Sequence, residues 1–191
     1  MVKHNMKQRI SVIIGLLIVL SFSACESDKD VAWGYSKLYM PQAIMQSAGL
    51  NNNFVVKVNL ANTTDTGVVV GLYRSGLEKL EYVSVDLGIN TDTLTTAISI
   101  ANQTGSSSLY NIYKTARLLP SEYYQLPAKI ELKDGLRETS VKLILSRSDL
   151  NNDMFFKATG NRYILPVYIS NPSRYELNKQ LSLTMFIFEQ Q

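Results

Sequence analysis

Cys25 is the residue whose surroundings point most directly to a reaction. Ser23 and Ala24 stand immediately before it. Small residues there would let the chain enter a narrow signal-peptidase site, with the thiol acylated in the same process. The upstream residues fit such a lipobox. Lys3, Lys7 and Arg9 form a positive region, residues 10–20 an apolar core, and residues 21–24 the approach to the cleavage point. Phe22 departs from the commoner leucine. A spanning helix needs about 20 consecutive apolar residues, whereas this run is interrupted by Ser21 and Ser23. The expectation is therefore a lipoprotein signal peptide over residues 1–24, in preference to a permanent membrane anchor. An ordinary cleavage elsewhere would leave an unpaired exported thiol. Acylation removes that problem and holds the chain on a membrane, since each buried methylene contributes about 0.8 kcal/mol.

Aromatic residues supply a second chemistry. The chain has eleven tyrosines and one tryptophan. A sugar presents a flat apolar ring face and a rim of hydroxyls, which suits an aromatic platform beside amide or carboxylate groups. Tyr110 and Tyr113, next to the polar stretch 102–108, have this character, so Tyr110, Tyr113, Asn102 and Trp33 are the candidate glycan-binding residues. The competing expectation is packing, because tyrosines of strands usually fill cores or cross-strand pairs. Trp33 could equally pack over an edge of the domain, and Tyr163 and Tyr168 read as structural.

Several chemistries are not expected. His4 is the only histidine and lies in the removed segment, and Cys25 is the only cysteine. The remaining chain thus lacks a disulfide framework, Cys or His ligands for zinc, and any Ser-His or Cys-His nucleophile pair. A carboxylate pair would be the remaining hydrolytic route. Glu78, Glu81 and Asp86, or Glu131, Asp134 and Glu138, read more simply as solvated strand faces and turns, so no enzyme is expected. Asp65, Asp92 and Asp153 stand in Asx-rich stretches that could hold calcium, but their spacing is not that of a calcium loop; no metal and no cofactor are expected. The whole chain has 19 basic against 16 acidic side chains, and the first 24 residues hold three of the basic ones and no acid. The mature chain is therefore neutral, without the cationic excess that nucleic-acid binding requires.

The elements that must position these residues follow a period of two. In residues 54–60, Phe54, Val56, Val58 and Leu60 share one face, and Lys57 and Asn59 the other. Further strands are expected at 37–40, 67–73, 80–87, 95–100, 128–132, 139–145, 162–170 and 181–189. Asn-, Asp- and Gly-rich connectors separate them, with Asp134-Gly135 expected to close a hairpin. Only 41–50, 115–119 and 146–150 look helical. Tyr124-Gln-Leu-Pro127 and Tyr163-Ile-Leu-Pro166 echo one another, and each proline should lie at a strand start, edge or bulge. The expected organisation is a signal peptide (1–24), an acidic tether (25–36) and one all-β sandwich domain (37–191) with a few short helical turns.

Tyr39-Met-Pro-Gln-Ala43, Tyr124-Gln-Leu-Pro followed by Ile130 and Gly135, residues 141–145, and Tyr163-Ile-Leu-Pro-Val-Tyr-Ile169 occur in that order. Together they resemble an uncharacterised N-terminal domain family of Bacteroidota surface lipoproteins, often attached to glycoside hydrolase, discoidin-like or lectin-like modules. The resemblance implies an immunoglobulin-like sandwich and an association with glycan capture, and brings no catalytic residue set. Glu26-Ser-Asp-Lys-Asp30 similarly resembles the acidic surface-export signal of such lipoproteins, which places the domain on the outer membrane facing the exterior. Asp92-Thr93-Leu94 resembles an O-glycosylation phrase of the same phylum. The resulting expectation is a non-catalytic, lipid-anchored binding module for polysaccharide, or for a partner protein of a nutrient-uptake assembly. The alternative is a structural or adhesion module that binds protein.

Overall fold

The computed structural model describes residues 35–45, 50, 52–61 and 64–191, which belong to the compact unit Gly34–Gln191. The signal segment, Cys25, residues 26–30 and Trp33 lie outside the described residues. The described chain runs through β1 (Lys37–Tyr39), a 3-10 turn (Pro41–Ala43), β2 (Asn53–Val58), β3 (Thr66–Arg74) and β4 (Val83–Ile89). Helix α1 (Thr91–Ala101), a 3-10 turn (Ser108–Tyr113), β5 (Ala116–Leu118), a further 3-10 turn (Ser121–Tyr123), β6 (Tyr124–Gln125) and β7 (Lys129–Leu132) come next. The remainder is β8 (Glu138–Leu145), α2 (Arg147–Asn152), α3 (Met154–Lys157), β9 (Arg162–Ser170), β10 (Glu176–Leu177) and β11 (Leu183–Gln190).

The strands form two sheets, ordered β10-β1-β3-β8-β6 and β2-β11-β9-β4-β7, with β5 beside part of β9. Alternation determines what lies between them. Val68, Val70 and Leu72 of β3 and Leu143 and Leu145 of β8 face Val83, Val85, Leu132, Leu165, Val167, Phe186 and Phe188 of the second sheet in one buried cluster. This is the expected β-sandwich.

The second sheet departs from simple alternation because both of its faces are covered. Ile164, Met185 and Ile187 point away from the sandwich interior, yet they are buried beneath Leu94, Ala97 and Ala101 of α1, Tyr113 and Ala116. Strands buried on two faces become apolar at almost every position, which accounts for the runs Tyr163-Ile-Leu-Pro-Val and Met185-Phe-Ile-Phe.

Residues 95–100 are thus helix and not strand. Leu94, Ala97, Ile98 and Ala101 form an i, i+3, i+4, i+7 stripe, and burial of that stripe overrides the β preference of the intervening threonines. Residues 115–119, expected to be helical, form β5, which pairs in parallel with Arg162–Ile164 of β9. Of the expected helix over 41–50, the described part holds a single 3-10 turn at Pro41–Ala43. The helix near 146–150 is α2.

Two turn-level expectations also change. Gly135 has φ of 76°, as a Gly turn requires, but the strands it joins do not pair. β7 pairs with β4 and β8 with β3, so the turn carries the chain from one sheet to the other. Turn chemistry sets the bend, while burial of Leu132 and Leu143 from opposite sides sets the partners. Pro166 sits in a central strand, not at an edge. Along one side of β9, β5 pairs with residues up to Ile164 and β4 with residues from Val167 onward. The Pro166 carbonyl accepts from Asn90 N–H at 2.9 Å on that same side. The missing proline donor therefore falls where β9 changes neighbours, and no ladder bond is lost.

Candidate functional site

Residues just before β2, the start of α1, the 3-10 turn at Ser108–Tyr113 and the first residues of β11 enclose a cleft of about 590 Å³. Small-molecule sites typically occupy about 300–1,000 Å³. Its walls include Leu50, Asn53, Asn90, Asp92, Thr93, Thr96, Tyr110, Tyr113 and Met185. The apolar floor belongs to the layer that α1 buries against the second sheet. The polar rim comes from helix-start and strand-start residues.

Local structure holds these groups in place. Asn90 caps α1 by accepting from Thr93 N–H at 3.2 Å, which satisfies one of the helix's free donors. Asp92 lies in the first helical turn, where the helix dipole favours a carboxylate. Ser107 begins the following 3-10 turn by accepting from Leu109 N–H. That turn brings Tyr110 and Tyr113 together, with ring centroids 6.1 Å apart and planes inclined by 41°. Tyr110 is half-buried, whereas Tyr113 is buried and donates its phenol proton to Asn53 Oδ1.

Burial pushes the Tyr113 phenol up to about 12; its bond to Asn53 opposes the rise and Tyr110 adds to it. An unfolded tyrosine titrates near pH 10. The neutral phenol therefore stabilises the fold fully below about pH 10, and this contribution disappears as pH rises through about 12. In denaturant titrations across pH 9–12, the native chain should lose about 2–3 kcal/mol more than Tyr113→Phe. Equal losses in the two proteins would show that the phenol is not held in this way.

The structure brings two of the four candidate aromatic and amide residues into one cleft, Tyr110 and Tyr113. Asn102 follows the end of α1, is exposed, and turns its amide back to the Ile98 carbonyl at 2.9 Å. It is not part of the cleft wall. Trp33 lies outside the described residues. Asn53, Asn90 and Thr96 were not singled out from the sequence. Asn90 could have been found as a cap three positions before Thr93 only if a helix had been expected there. Asn53 could not, because it is brought to the tyrosines only by pairing of β2 with β11.

The other polar clusters are committed to the fold. Asp153 caps α3 through Phe156 N–H at 2.9 Å and accepts the phenols of Tyr163 at 2.6 Å and Tyr123 at 2.9 Å. Burial would raise the Asp153 carboxyl, but those hydrogen bonds outweigh it and hold the group below its usual value. Asp65 accepts from Arg147 N–H. Glu81 pairs with Lys79 and Arg174, Asp86 pairs with Lys129, and Asp134 accepts from Tyr82 N–H.

A family model described as "-like, N-terminal domain" matches residues 35–176. Three solved structures from Bacteroides ovatus are similar to the chain. One, a protein of unknown function, has a TM-score of 0.54 and 16% identity, covering 80% of this chain and 44% of that one. A second, also of unknown function, gives 0.55 and 14%, with coverages of 82% and 46%. A third, a multidomain protein including DUF1735, gives 0.56 and 13%, with coverages of 83% and 46%. The chain spans less than half the length of these structures, and at such identities the likeness concerns the fold alone. No curated protein matches the chain.

Proposed function

We propose that this chain, which belongs to the family of N-terminal domains matched over residues 35–176, is a non-catalytic module that captures glycan. In this reading acyl chains on Cys25 hold it on the outer membrane, facing the exterior, as one component of a nutrient-uptake assembly. The observation that carries the reading is the convergence of Tyr110 and Tyr113 with Asn53, Asn90, Asp92 and Thr93 around one cleft. An aromatic wall suits a sugar ring, and amide, hydroxyl and carboxylate groups suit its rim.

Three of the acids are unsuited to act as a hydrolytic general acid. A glycosidase general acid needs a raised pKa. Glu78, Asp153 and Glu189 all shift the other way. Hydrogen bonds from Ser36 lower Glu78. For Glu189, burial raises the carboxyl, but bonds from Lys57 and Arg162 outweigh it.

The test is a glycan array probed with the full chain in detergent. Binding to at least one glycan is expected, weakened at least about tenfold by Tyr110→Ala with an unchanged melting curve. Equal binding by that variant would remove the cleft from the reading. A second reading, a structural or adhesion module that binds protein, rests on β2. Its only strand neighbour among the described residues is β11, and it leaves Val55 42% exposed. Silence on every glycan, with a protein captured in a manner that Val55→Lys abolishes, would favour that alternative.

A further inference from the structure

We infer that the cleft selects uncharged sugars and rejects acidic ones, with Asp92 as the discriminating residue. This rests on the glycan-binding reading above and adds the class of glycan. Asp92 is the only charged side chain among the described residues that line the cleft, and no lysine, arginine or histidine joins it there. Nor does Asp92 take part in an ion pair among the described residues. Sulfated or uronate-bearing sugars are ordinarily held by guanidinium or ammonium groups, which supply charge-assisted bonds. Here such a substituent would meet an unpaired carboxylate instead.

The hydrogen-bonding groups point the same way. The Asn53 Oδ1 already accepts the Tyr113 phenol, and the Asn90 Oδ1 already accepts Thr93 N–H. Each amide then offers two N–H donors against one remaining lone pair on its oxygen. Asp92 offers only acceptors, and the threonine hydroxyls offer both. A sugar hydroxyl is donor and acceptor at once, so adjacent hydroxyls can give their protons to Asp92 and accept from the amides.

One feature of α1 could favour an anion, since a helix N-terminus presents free N–H groups. That position is already partly occupied. Asn90 occupies the Thr93 donor, and the Asp92 carboxylate sits in the same first turn. A second negative charge there would face the first without a cation between them.

The experiment uses the full chain in detergent at low ionic strength, on an array of neutral, uronate-bearing and sulfated oligosaccharides of matched length. Binding confined to neutral glycans is the expected result. Comparable binding to the acidic glycans would overturn the selectivity while leaving glycan capture in place, and silence throughout would overturn both. Asp92→Asn, checked by its melting curve, should raise binding of the acidic glycans about tenfold relative to that of the neutral ones. Unchanged discrimination in that variant would remove Asp92 from the role.

Discussion

Phe186→Ala should destabilise the domain by about 3–5 kcal/mol, the range typical of a fully buried phenylalanine cut back to a methyl group. Phe186 is completely buried and sits at the centre of the sandwich. On β11 it stands opposite Phe54 of β2 on one side and Leu165 of β9 on the other. Its ring meets that of Phe54 edge-on at 5.6 Å, a geometry that contributes about 0.5–1.5 kcal/mol beyond area burial. Domains of this kind have about 5–15 kcal/mol in all, so the variant should unfold at markedly lower denaturant. A loss under about 1 kcal/mol in urea titration would mean that the two sheets do not meet at this residue.

Arg74→Ala is expected to destabilise by a comparable amount, about 3–5 kcal/mol, for a different reason. Arg74 is fully buried at the end of β3, with no carboxylate among its hydrogen-bond partners. Its guanidinium donates to the Glu81 carbonyl at 2.6 Å, to the Tyr175 phenol at 3.0 Å and to the Leu136 carbonyl, and lies 5.1 Å from the Tyr175 ring centre. Three connecting segments are thus gathered on one cation. Removing it leaves those acceptors without their donor and opens a cavity. Arg74→Met should cost less than the alanine variant. It refills volume and also removes a buried charge whose Nε has no partner. Denaturant midpoints for the three proteins test the order native, methionine, alanine; equal losses in the two variants would show that volume is immaterial.

The sandwich was legible in the sequence because its signal is local. Phe54, Val56 and Val58, or Val68, Val70 and Leu72, announce a buried face without knowledge of a partner. What could not be read was where the partners lie. Asp134-Gly135 bends the chain identically whether the flanking strands pair or part. The threonines of α1 read as β-formers until the apolar face of the second sheet is known to need a cover. The cleft shows the same division. Tyr110 and Tyr113 stood out by residue type and spacing, and the 3-10 turn places their rings together. Asn53 and Asn90 did not stand out, because their cleft role depends on β2 reaching β11 and on α1 crossing the sheet. Asn102 was singled out for being close in sequence to the tyrosines, but the end of α1 keeps its amide for the helix.

The parallel pairing of β2 with β11 also governs when the domain can form. Asn53 must find Met185, and Val58 must find Gln190, with nearly the whole described chain between them. Bringing such distant segments together carries a loop-closure penalty that local contacts do not, and topologies of this kind fold slowly. Until residues 183–190 have been synthesised, Phe54 and Val56 have no strand to lie beside. Until then β2 exposes an unpaired apolar edge. In the proposed reading of an exported chain, this late-formed edge suits a translocation channel that admits only unfolded polypeptide.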